Sequence, residues 1–134
     1  MKKSTLLNAP LSSVIATMGH TDSLTIADAG LPIPEKPTRI DLAICKDYPQ
    51  FLPVLKATLE ELCVERVVLA EEIKTHNKEV HQAIIDLLRE YHISQVDYCP
   101  HETFKSQTAH SKTVVRTGEC SPYANILLFS GVTF

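Results

Sequence analysis

Two spacings organise the apolar residues of this chain. Leu11, Val14, Ile15 and Met18 recur at i, i+3, i+4 and i+7, one stripe of a helix. Asn8 precedes the stripe as an N-cap, and Pro10 falls early in the helix, where a missing N–H costs little. Gly19 is expected to stop this helix in a left-handed cap, leaving His20 in the turn beyond it. A second helix is expected from near Pro49, with Phe51, Leu55, Leu59 and Leu62 along one side. A third follows Asn77, with Val80, Ile84, Leu87, Leu88 and Tyr91 on one face, and His101 to Ala109 reads as a short fourth. Strand-like runs occupy Leu24–Ala27, Arg39–Ile44, Val67–Ala70, Ser94–Cys99, Val114–Arg116 and Asn125–Phe129. Between the first two, Leu31 to Pro37 holds three prolines and must be an irregular loop.

Strands that alternate with helices predict an α/β fold. We expect a three-layer α/β/α domain spanning residues 1–134, with a mixed, mainly parallel central sheet whose middle is parallel. No internal repeat or long linker divides it. Sheets of this kind hold ligands beyond the carboxyl ends of their strands.

Composition narrows the function classes. With 134 residues, 44% hydrophobic and 22% charged, the chain can bury a real core. A net charge of −3 with both signs interspersed gives no basic footprint for nucleic acid. Apolar runs such as Val67-Val68-Leu69-Ala70 are too short to span a bilayer, so no membrane association is expected. Met1-Lys2-Lys3 is not followed by the apolar stretch of a signal peptide, so the cytoplasm is the expected compartment. Cys45, Cys63 and Cys99 adjoin apolar residues and read as small buried hydrophobes. With Cys120 they form no Cys-x-x-Cys pair, so neither a disulfide framework nor a zinc site is expected.

The candidate chemistry is polar and dispersed. Asp28 and His101 each follow a predicted strand, so a parallel sheet would bring both to one edge; each could equally be an ordinary turn or helix-start residue. Lys105, four residues after His101, shares its helix face, where its charge would favour a neutral imidazole unless the face is simply solvated. Tyr123 and Asn125, two apart, would project to the same side of an extended chain and could together bind a polyhydroxylated ligand, or Tyr123 could anchor a sheet edge. Glu119 is a further acid or base, or an exposed side chain, while Glu71 and Glu72 read as a helix-start charge pair. His76, His81, His92 and His110 look like ordinary surface residues. No phosphate loop, nucleophile elbow or metalloprotease helix is present.

A set of segments nevertheless carries a family likeness along the whole chain. Met18-Gly19-His20-Thr21-Asp22, Asp28-Ala29-Gly30-Leu31-Pro32-Ile33-Pro34, Ala70-Glu71-Glu72-Ile73-Lys74, Thr117-Gly118-Glu119-Cys120-Ser121-Pro122-Tyr123-Ala124-Asn125-Ile126 and Gly131-Val132-Thr133-Phe134 together resemble the D-ribose pyranase / fucose mutarotase family. The 30–34 and 121–125 stretches look closer to its ribose branch. The resemblance implies an isomerase that interconverts the pyranose and furanose forms of β-D-ribose without metal or organic cofactor. It implies His20 as the catalytic proton donor and Asp28, His101, Lys105, Tyr123 and Asn125 as substrate contacts. It also implies a homo-oligomer, a decamer of two stacked pentameric rings, with sites where subunits meet. Three other readings stand beside it: a fucose-type mutarotase, a non-catalytic ribose-binding accessory protein of an uptake system, and a metal-binding protein built on His20, His101 and Glu119.

Overall fold

The computed structural model describes all of Met1–Phe134. Its elements follow the order α1 (Ala9–Thr17), β1 (Ser23–Ala27), β2 (Thr38–Asp41), α2 (Phe51–Leu59), β3 (Val64–Ala70), α3 (Ile73–His76), α4 (Lys78–Glu90), β4 (Gln95–Cys99), α5 (His101–Thr108), β5 (Thr113–Arg116) and β6 (Ile126–Ser130). The six strands form one sheet in the order β2-β5-β1-β6-β3-β4. β1 and β2 run parallel to β5, and β3 runs parallel to β4. β6 alone is reversed and pairs antiparallel with both β1 and β3.

The α/β fold with a mixed, mainly parallel sheet is therefore as expected, with one difference. The reversed strand lies inside the sheet, so its middle is antiparallel where the sequence pattern predicts parallel pairs. An almost wholly apolar strand such as Ile126-Leu127-Leu128-Phe129 reads the same in either direction; only its connections decide.

Alternate residues of each strand feed two cores. Leu24, Ile26, Val67, Leu69, Ile126 and Leu128 pack with Leu11 of α1, Phe51 and Leu55 of α2, and Ile84 and Leu88 of α4. On the other face Val68, Val114 and Leu127 pack with Phe104 of α5 and with Leu31. The third layer is thus a single short helix and the proline-rich loop. Phe51 and Phe104 are fully buried, each contributing about 1.5–3 kcal/mol of apolar burial.

Helix α1 begins as expected, with Asn8 Oδ1 accepting the Leu11 N–H at 2.9 Å. Its end differs. Met18 unwinds to an extended conformation, and no glycine in the chain has a positive φ. The Gly19 N–H is instead taken by the Asp22 carboxylate at 2.9 Å, and Thr21 is the left-handed residue. Cys45 and Cys63 are exposed rather than buried, because one sits in a tight turn bridged to Tyr48 and the other at the rim where β3 begins; all four cysteines are free.

Candidate functional site

The reversed strand determines what meets at each rim of the sheet. The carboxyl ends of β1, β3, β4 and β5 lead into Asp28, Glu71-Glu72, Pro100-His101 and Thr117–Glu119, and the start of β6 adds Tyr123 and Asn125 to the same rim. There Asp28, His101, Lys105 and Tyr123, with Gly30, Leu31 and Pro32, line a hollow of about 270 Å³. The opposite rim carries His20, which precedes β1, together with the end of β6.

Asp28 is fixed on every side. Its Oδ1 accepts the N–H groups of Gly30 (3.0 Å) and Leu31 (2.8 Å). Its Oδ2 accepts from Asn125 Nδ2 at 2.8 Å, while the Asp28 N–H donates to Asn125 Oδ1 at 2.9 Å. Asn125 is fully buried by this reciprocal pair, so in the single chain it holds Asp28 and does not stand beside Tyr123. The extended geometry expected for the two does not form. Tyr123 adopts a left-handed φ of 59°, and the Asn125 N–H folds back onto the Tyr123 carbonyl at 2.8 Å. That turn sends the phenol toward the hollow and the amide inward.

His101 opens α5. Its ring stacks on Phe104 (centroids 6.3 Å apart) and meets Tyr123 edge-on at 5.1 Å. Nδ1 is buried without a hydrogen-bond partner. A buried polar nitrogen left unpaired costs about 1–3 kcal/mol, and the ring stands against the hollow. Lys105 lines the same hollow one turn on, its ammonium paired with Glu102.

Two carboxylates, Glu119 and Glu72, are structural parts of this rim. Glu119 is buried; its Oε2 accepts the first N–H of α2, from Phe51, at 3.1 Å, and its Oε1 accepts from Ser121 Oγ at 2.7 Å. Glu72 accepts the His101 N–H on both oxygens at 3.0 Å. Burial by itself would raise the Glu72 pKa. The His101 N–H, its own backbone N–H and the neighbouring His101 and His76 rings outweigh that and hold it below the ordinary value of 4.5. A carboxylate whose folded pKa is depressed adds stability above its unfolded pKa and loses it as pH falls through the folded value. The gap in unfolding midpoint between wild type and Glu72→Gln is therefore expected to be open near neutral pH and to close as pH is lowered below 4.5; thermal melts across that range check it.

Neither role had a local signal, since Glu72 and His101 are 29 positions apart and Glu119 and Phe51 are 68 apart. Two histidines also depart from a plain surface role. His76 packs edge-on against Tyr123 at 5.4 Å, and His81 Nε2 contacts Tyr98 Oη at 2.8 Å in a partly buried pair. Burial, then the charge of Lys74, lowers the His81 pKa.

At the opposite rim His20 is exposed, and its Nε2 lies 3.0 Å from Glu65 Oε2. It borders a groove of about 420 Å³ lined also by Met18, Cys63, Gly131, Val132 and Phe134. Five strand residues at about 3.3 Å each separate this rim from Asp28, roughly 16 Å. One chain therefore does not bring His20 to Asp28, His101, Lys105, Tyr123 and Asn125. Its carboxylate partner within the chain is Glu65. The same separation keeps His20 from joining His101 and Glu119 in a metal site within one chain, and Glu119 is engaged with backbone and Ser121.

The rim with the hollow presents a carboxylate, an ammonium, an imidazole and a phenol to one small volume. That set can hydrogen-bond several hydroxyls of one small polyol at once. The chain is 55% identical to a D-ribose pyranase of Glaesserella parasuis serovar 5 (strain SH0165) and 53% identical to one of Pasteurella multocida (strain Pm70), over the full length of each pair. Its fold superposes on the structure of Bacillus subtilis RbsD complexed with D-ribose with a TM-score of 0.94, at 42% identity and complete coverage of both chains. A fucose mutarotase from Streptococcus pneumoniae in complex with L-fucose shares the fold at TM-score 0.86 and 20% identity, again over both whole chains. Residues 1–133 match the model of one family across this entire architecture, and the chain belongs to that family, the RbsD / FucU transport protein family.

Proposed function

We propose that this protein interconverts the β-pyranose and β-furanose forms of D-ribose by acid–base ring opening and closure, in the cytoplasm, as a homo-oligomer of two stacked five-membered rings. The observation that carries the reading is the hollow of Asp28, His101, Lys105 and Tyr123 in a chain that matches D-ribose pyranases along its whole length. Likeness to the fucose mutarotase, at 20% identity, supports the fold alone.

Ring opening moves two protons between oxygens. In the pyranose the C1–O5 bond breaks, O5 receives a proton from His20, and the anomeric hydroxyl releases its own to water as it becomes the aldehyde oxygen. After rotation O4 adds to C1, its proton returns to His20, and the aldehyde oxygen is protonated to give the furanose. No carbon–hydrogen bond breaks. Histidine suits the step because its ordinary pKa lies near neutrality. Asp28, held by Asn125, accepts from a sugar hydroxyl; His101 and Lys105 hold hydroxyls near the anomeric centre; Tyr123 orients the ring.

His20 reaches such a sugar only if a second copy presents its own hollow to it, since the two rims of one chain are about 16 Å apart. A shared site makes inactive variants complement each other. Mixing equal amounts of His20→Ala and Asp28→Ala proteins, with subunit exchange, is expected to restore activity in up to about a quarter of the sites. No recovery in mixed oligomers would place the whole site in one chain.

The reading itself is tested by magnetisation-transfer NMR across ribose, fucose, galactose and glucose. Faster exchange between ribose ring forms is the expected result. Acceleration confined to anomer exchange of fucose would assign the chain to the mutarotase branch.

A further inference from the structure

The turn from Glu72 to Asn77, which includes α3, bears side chains that no step of the reaction uses. Both of its end residues occupy N-cap positions, Glu72 for α3 and Asn77 for α4, yet neither side chain caps its own helix. An N-cap side chain ordinarily accepts the N–H of its own first turn. Here both are turned toward the rim that holds the hollow.

Glu72 places both carboxylate oxygens on the His101 N–H at 3.0 Å and so caps α5 from another element. Asn77 Nδ2 donates to the Pro122 carbonyl at 2.8 Å and to Ser121 Oγ at 2.9 Å. Those contacts secure the two residues before Tyr123, whose left-handed φ of 59° is one that a bulky side chain adopts only under constraint. Between the two ends, His76 meets Tyr123 edge-on, and Tyr123 meets His101 edge-on.

We propose that the Glu72–Asn77 turn is a positioning bracket, in which Glu72 sets the His101 ring and Asn77 sets the Tyr123 phenol so that the two face one sugar. Neither residue touches the reacting atoms; each acts through its partner. The bracket's role in turnover rests on the ribose ring-exchange reading, whereas its geometry does not.

The test uses Glu72→Ala, Glu72→Gln and Asn77→Ala in the full-length protein, with Ile93→Val, a buried position distant from the rim, as a control for general destabilisation. Misplacing binding groups by about an ångström costs up to about 100-fold. The alanine variants are expected to lose about 10- to 100-fold in kcat/KM for ribose ring exchange, with Glu72→Gln recovering part of the loss because it keeps an acceptor oxygen. The control is expected to keep its rate. A second readout needs no activity. The His101 amide proton, bonded to a carboxylate, should resonate downfield in sugar-free wild type and move upfield in Glu72→Ala, while the Tyr123 ring signals should shift in Asn77→Ala.

If wild type shows no ring exchange, the functional reading fails and the two NMR signatures alone decide the bracket. If either alanine variant folds and keeps kcat/KM within about threefold of wild type, or if the His101 amide signal does not move without Glu72, the bracket is refuted. Should Glu72→Ala fail to fold, Asn77→Ala and Glu72→Gln decide the bracket by the same measurements.

Discussion

Replacing His20 with alanine is expected to slow pyranose–furanose exchange by about 10²–10⁴-fold, the usual worth of a positioned acid or base, while the protein stays folded. The two halves of that expectation have separate grounds. His20 is more than half exposed, and its one ion-pair partner, Glu65, is nearly as open. Such a pair contributes less than about 1 kcal/mol to stability, so loss of the ring should barely move the unfolding midpoint. The catalytic loss, in contrast, removes the one group proposed to protonate O5. Exchange measured by magnetisation transfer, alongside a melt, separates the effects. A folded His20→Ala protein that retains full exchange would remove His20 from the mechanism. Glu65→Gln should cause a smaller loss, because it removes the charge that pairs with the ring and leaves the ring in place.

The largest effect on stability is expected at Gly118, where alanine should cost about 2–4 kcal/mol. Its backbone is enclosed by the turn at residues 45–49. The Gly118 N–H donates to the Pro49 carbonyl at 2.8 Å, and the Gly118 carbonyl accepts the Asp47 N–H at 2.6 Å. A Cβ there would lie 2.5 Å from the Tyr48 carbonyl oxygen and 2.6 Å from that of Cys45. Those are backbone atoms, so no rotamer change relieves the overlap. Gly118 has an ordinary negative φ; close approach, not conformational freedom, is what demands glycine. For a chain of this size the cost corresponds to a fall in Tm of roughly 8–15 °C. A melt within about 2 °C of wild type would mean the turn moves aside freely. Because Glu119 follows directly and caps α2, the same variant should also loosen the Ser121–Asn125 segment and weaken sugar binding.

What the sequence conveyed depended on whether a feature is local. Asn8 caps α1 through a contact three residues away, and the helical stripes and strands declare themselves within a few residues. Asp28 and His101 could be placed on one rim because each follows a parallel strand. Features that depend on distant pairing were not legible. The direction of β6 is set by its connections, and it is this reversal that delivers Tyr123 and Asn125 to the rim with Asp28. The sequence spacing points Asn125 toward a ligand beside Tyr123; in the single chain its reciprocal bonds to Asp28, 97 positions away, turn it inward. α3 is four residues long, too short to show a periodicity, and its cap side chains serve other elements. His20 followed a helix end as expected, but the rim on which it lies relative to Asp28 could be known only once the strand between them was laid out.

The proposed function stands or falls on whether this chain accelerates a change of ring size in ribose. Saturating the anomeric signal of β-D-ribopyranose at equilibrium, and following the β-furanose signal with and without protein, decides it. Transfer of saturation should grow with protein concentration and be lost in His20→Ala. Ribose that binds, seen as shifts at Tyr123 and His101, with furanose intensity unchanged by the protein, would contradict the proposal and leave a sugar-binding protein without catalysis.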